Sequence, residues 1–162
     1  LRPESRGYIS LKNLDPATPP IIQPNYFSTE YDRKTMIKAF KISRDIIFQK
    51  AFDDFRGKEI NPGENVQTDE QIEEFIRANA ETIYHPVGTC KMGSDSMSVV
   101  DDKLRVHGLE NLRVIDASIM PTLVGGNTNA PTVMIADKIS DHILGNEFLP
   151  PINVPNPLEQ SA

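Results

Sequence analysis

The sequence has one cysteine, Cys90, and that alone excludes an internal disulfide framework. A lone thiol suits a reducing compartment, so a cytoplasmic protein is the expectation, with peripheral attachment to a membrane left open. No apolar run approaches the roughly 18–20 residues needed to cross a bilayer. Basic residues are in the minority and scattered: 17 Lys and Arg against 23 Asp and Glu give a formal net charge of −6. Without a basic cluster there is no footprint for nucleic acid, and no polybasic run that would point to anionic lipid. An initial methionine is missing too. The opening "LRPESRGYISL" reads as the middle of something, so the expectation is a fragment of a longer chain with any targeting signal upstream.

What is present is enough for one domain of ordinary size, 162 residues and 18.1 kDa. "SRGYISLKNLDP", Ser5 to Pro16, predicts a short strand, and the three prolines of "ATPPIIQPNYFST" predict an extended loop. From Tyr31 to Ala51 the apolar residues Met36, Ile37, Phe40, Ile47 and Phe48 fall near one helical face. Asp53 to Val66 is polar, with Gly and Pro, and reads as a loop. Thr68 and Gln71 have capping-box spacing and open a second helix that runs toward Ile83, because His85 precedes Pro86 and is pushed out of the helical region. Leu104–Val106 and Leu112–Ile115 read as short strands joined by "HGLEN". A last helix begins near Asn129, is apolar on nearly every side and therefore reads as deeply buried, and ends at Gly145. A Pro-rich tail covers 146–162.

Three features carry chemistry. His85 stands at a helix exit, stiffened by Pro86 and followed by a Gly-containing turn. A lone histidine is more often a hydrogen-bonded structural group; the alternative is a general base or hydrogen-bond donor, since its unperturbed pKa lies near working pH. Asp116 ends an apolar strand, where ligands meet sheets, although it also suits the tying of a turn. "GGNTNAPT" opens the last helix, and a helix N-terminus presents unsatisfied N–H groups and positive potential to an anion or an electron-rich ring; an ordinary capped helix is the bland alternative. Metal binding is not expected, because Cys90, His107 and His142 have no ligand spacing with His85.

"YHPVGTCKMG" followed by "VVDDKLRVHGLENLRVIDASIMPTLVGGNTNAPTVMIADKISDHIL" strongly resembles the C-terminal signature of the glucose–methanol–choline (GMC) oxidoreductases, and most of all their choline dehydrogenase-like, FAD-dependent alcohol dehydrogenases. The resemblance is strong from Tyr84 to Leu144, and "SRGYISL" fits it as well. It implies an α/β architecture (an α+β substrate domain): an antiparallel sheet backed by helices, with a buried C-terminal helix that packs toward a missing FAD-binding, Rossmann-like domain. Residues 1–145 are then the family's C-terminal substrate-binding and catalytic region. It implies that His85 is the active-site histidine and Asn127 the second catalytic position, and that Asp116, Ala117, Thr128 and Asn129 contact FAD.

The reaction so implied is oxidation of the CH–OH group of an alcohol, by proton abstraction and hydride transfer to the flavin N5. Partners are the small alcohol and the N-terminal FAD-binding part of the same protein. No G-x-G-x-x-G fingerprint occurs in the sequence, so the fragment by itself is expected to be inactive and without FAD, and prone to self-association. Two alternatives stand beside an enzyme: a redox-inactive binding module, and a lyase that keeps FAD on the same fold.

Overall fold

The computed structural model describes residues 2–150 and 152. Its elements are strands β1 (Tyr8–Ser10) and β2 (Ile21–Gln23) and helices α1 (Glu30–Ile47), α2 (Asp69–Asn79) and α3 (Asn129–Leu144), with short 3-10 turns at Lys50–Phe52 and Ala117–Ile119. Two units are distinguished by their contacts. The first is the chain up to His85 together with Thr122–Gly126; the second is Pro86–Pro121 and the chain from Asn127 onward.

In the first unit β1 and β2 pair antiparallel, Ile9 opposite Ile22. The Pro-rich segment read as a loop thus supplies a strand. The prolines at 19, 20 and 24 flank Ile21–Gln23 without interrupting it, and a two-stranded ribbon needs ladder bonds on one side only. The sheet is not backed by helices as expected, for both faces of β2 are exposed while the helices pack on each other. Ile37 of α1 meets Ile72 and Ile76 of α2, with Phe27, Phe40, Val66 and Phe75 around them. Phe40 and Phe75 meet edge to face, 5.9 Å between ring centroids. Arg44 clamps the loop between the helices: its Nε and Nη2 donate to the two Glu59 carboxylate oxygens at 3.1 and 3.0 Å, and Nη1 donates to the Val66 carbonyl at 2.8 Å.

Both N-termini in this unit are capped by threonine. Thr29 Oγ1 accepts from the Asp32 N–H, and Thr68 with Gln71 completes the capping box read from the sequence. α2 ends at Asn79, short of Ile83. Its apolar stripe stops at Ile76, Ile83 is 60% exposed, and an unpacked turn adds nothing to hold the helix open to that point.

The second unit is mostly irregular. Val100, Leu104 and Ile119 are buried, and Val114, Ile115, Ile135 and Ile139 pack on them. The strands expected at 104–106 and 112–115 reduce to isolated bridges, Val100 to Val106 and Arg105 to Arg113, because the tight chain reversal at Leu104 (φ 59°) and Gly108 (φ 75°) leaves no room for a longer ladder. α3 is not buried. No residue of it is, and Val133, Met134, Ile143 and Leu144 are each more than half exposed. A helix apolar on nearly every side needs cover on more than one of them, and the Val100 cluster covers only the Ile135 and Ile139 side. Gly145 (φ 73°) ends it in the left-handed conformation, as its sequence suggests. Of the tail expected over 146–162, residues 151 and 153–162 lie outside the described residues. No described helix is long and apolar enough to cross a membrane.

Candidate active site

His85 is the last residue of the first unit's long segment, and Asn127 opens a segment of the second. The backbone ahead of the histidine is constrained. Tyr84 has φ 60°, a left-handed conformation that costs a side-chain-bearing residue about 1 kcal/mol, and its N–H donates to Thr82 Oγ1 at 3.0 Å. The imidazole is half-buried. Its Nδ1 is hydrogen-bonded to the Ile83 carbonyl oxygen. A carbonyl only accepts, so Nδ1 carries the proton; in the neutral ring Nε2 is then the free acceptor.

Beyond Pro86 the chain turns at Gly88, φ 87°, where an added Cβ would lie 3.3 Å from the Met120 carbonyl oxygen. The Cys90 N–H then donates to Ser118 O at 3.0 Å and the Met92 N–H to Ile119 O at 2.8 Å, so the "GTCKM" strip is laced to the 3-10 turn. Cys90 itself is half-buried and free.

That turn carries two predicted residues. Asp116 is its N-cap, the carboxylate accepting from the Ser118 N–H at 2.7 Å, and Ala117 is its first residue. The tying of a turn, which its sequence position allowed, is what Asp116 does here. Ile119 of the same turn and Ile135 and Ile139 of α3 pack in one cluster, so the second unit holds the Asp116–Ala117 turn and α3 on a shared core.

Asn127 is exposed and precedes Thr128, the N-cap of α3. Thr128 makes no side-chain capping bond, whereas Thr29 and Thr68 do. Asn129, expected as the cap, is instead the first helical residue, and Pro131 has no N–H to satisfy. The α3 N-terminus therefore presents first-turn donors that its own N-cap side chain leaves unanswered, beside Gly126, where an added Cβ would meet open space. This donor set fits a group with an electron-rich edge or developing negative charge, as a flavin ring has. Sequence reasoning passed over two polar residues in the first unit. Asp32, only 8% exposed, accepts from the Glu4 and Ser5 N–H groups, and Arg2 lies against Gly125. No local pattern marks the distant donors of Asp32.

A family model described as GMC oxidoreductase matches residues 3–136, and the chain belongs to that family. Among curated proteins, "Oxygen-dependent choline dehydrogenase" of Cronobacter sakazakii is 57% identical over 150 residues, 93% of this chain and 27% of that protein. The protein of the same name from Escherichia coli is 55% identical over the same shares. This chain thus spans 27% of the length of the curated relatives it matches. Among solved structures, pyridoxine 4-oxidase from Mesorbium loti superposes with a TM-score of 0.83 at 34% identity, over 91% of this chain and 29% of that one. An FAD-dependent oxidoreductase from Chaetomium thermophilum gives a TM-score of 0.83 at 28% identity, over 90% and 25%.

Proposed function

We propose that this chain is the C-terminal part of a longer FAD-dependent enzyme that oxidises the CH–OH group of an alcohol, with choline the first substrate to test. The observation that carries the reading is 57% identity, across 93% of the chain, to a protein named for choline oxidation. Residues 1–145 form the substrate-domain region in this reading, 146–162 a tail, and the exposed apolar side of α3 packs toward the FAD-binding part.

The active-site roles follow from the chemistry of each group. His85, with its Nδ1 proton committed to the Ile83 carbonyl, takes the hydroxyl proton at Nε2. Asn127 offers both a donor and an acceptor and holds the substrate oxygen, but it cannot serve as a base near neutral pH. Ala117, Thr128 and Asn129 hold FAD at the turn and at the α3 N-terminus, with Asp116 shaping the turn. FAD, when bound, supplies the two-electron acceptor for the departing hydride. The helix end favours negative charge placed against it.

The test is a panel of alcohols, choline included, added anaerobically to the whole flavoprotein while its absorbance is followed. Bleaching of the flavin by at least one alcohol supports the reading. A flavin that no alcohol reduces, in a protein that nonetheless transforms a substrate, would replace oxidation by lyase chemistry.

A further inference from the structure

The loop that leads into Asn127 lies beside residues 2–6. Thr122–Gly126 belong with the first unit, although the residues on both sides of them belong to the second. Thr122–Gly125 line a concavity with Arg2, Glu4 and Arg6. At its centre the Arg2 guanidinium fills the space where a side chain of Gly125 would stand: an added Cβ would lie 3.2 Å from Nε and 3.3 Å from Nη2. Gly125 is not among the positive-φ glycines, so its backbone accepts a side chain and glycine serves here to admit the guanidinium.

Arg2 is itself carried on a fixed segment. The Glu4 and Ser5 N–H groups donate to the Asp32 carboxylate at 2.9 and 2.8 Å, and Ser5 Oγ accepts from the Ser28 and Thr29 N–H groups at 3.1 and 3.3 Å. Pro3 fixes the one intervening φ. Hydrogen bonds therefore anchor residues 4–5 to the N-terminus of α1, and Arg2, two residues before Glu4, lies close against a glycine two positions before Asn127.

We propose that Arg2 is a positioning residue, clamping the Gly125 backbone from a segment anchored by Asp32 and thereby setting where Asn127 stands. The inference rests on the role given to Asn127 above. In the whole flavoprotein, R2A is expected to lower kcat about tenfold with KM changed less than about twofold, because a displacement of about 1 Å at a reacting group costs rate more than binding. Lysine at position 2 should not restore turnover, since a point charge does not reproduce the planar guanidinium, whereas free guanidinium ion added to R2A should. G125A, a small change made from the other side, should give the same split. In an N127A background R2A should add nothing further.

A crystal structure of the R2A flavoprotein supplies a readout apart from activity, with Gly125 expected to shift by about 1 Å. An unmoved loop, unchanged kcat, or losses of R2A and N127A that multiply in full would each overturn the clamp. If N127A alone leaves turnover intact, the role of Asn127 in the reaction fails, and the position of the loop in the R2A structure still decides the clamp.

Discussion

At the scale of single residues, the hydrogen bond from Nδ1 of His85 to the Ile83 carbonyl leaves Nε2 as the one free acceptor of a half-buried imidazole. H85A in the whole flavoprotein should lower kcat by about 10²–10⁴-fold, the usual worth of a positioned general base, with flavin content unchanged. Turnover within a few-fold of the parent would remove His85 from the mechanism. The stiff backbone around this histidine was legible from Pro86 and the Gly-containing turn; its place at a helix exit is not borne out, since α2 ends at Asn79, and its tautomer was not legible, because it depends on where one carbonyl points.

Asp32 shows the same limit. Burial raises its pKa, but the hydrogen bonds from Ser5 and the Glu4 N–H outweigh burial and hold the carboxyl below the ordinary aspartate value. A depressed carboxyl contributes stability that is present above its unfolded pKa, near about 4, and lost as pH falls through the lower folded value. D32N should remove that acid-side loss from the thermal midpoint of the whole protein. It should also destabilise it at neutral pH by about 2 kcal/mol, because an amide cannot answer both N–H donors with a charge. A D32N profile parallel to the parent's across the acid range would show that the latch carries no pH dependence.

At the scale of elements, legibility followed the range of the interactions. α2 was readable because a capping box is written in four consecutive residues, Thr68 to Gln71. Its reciprocal bonds, Gln71 N–H to Thr68 Oγ1 at 3.3 Å and Thr68 N–H to Gln71 Oε1 at 3.0 Å, predict that T68A weakens the helix start by about 1 kcal/mol. Amide exchange in the first turn of α2 should then quicken about fivefold, with α3 unaffected as a control. Equal acceleration in both helices would mean the substitution acts globally instead. Strand β2 was misread because prolines argue against a central strand and do not argue against one edge of a two-stranded ribbon. The burial expected of α3 is not met within this chain, for a related reason. Periodicity reports how much cover a helix requires, and the cover itself comes from other parts of a protein.

At the scale of the molecule, the requirement for cover shows in large apolar side chains that stand in solvent, such as Phe55 (88% exposed), Met134 (54%) and Leu144 (73%). Against this only seven hydrophobic residues are buried among those described. Such surface in water is driven to find a partner, and for the isolated chain the available partner is another copy. Expressed alone, the 162-residue chain should be colourless. It should scatter light as associated species at tens of micromolar, and unfold in urea with a slope well below the value expected for its length. Joined to the FAD-binding part, the same residues should become monodisperse at the level of that protein, protected from exchange along α3, and yellow. A clean monomer with a steep urea transition would mean that this surface is stable in solvent, and the packing proposed for α3 would then have no driving force.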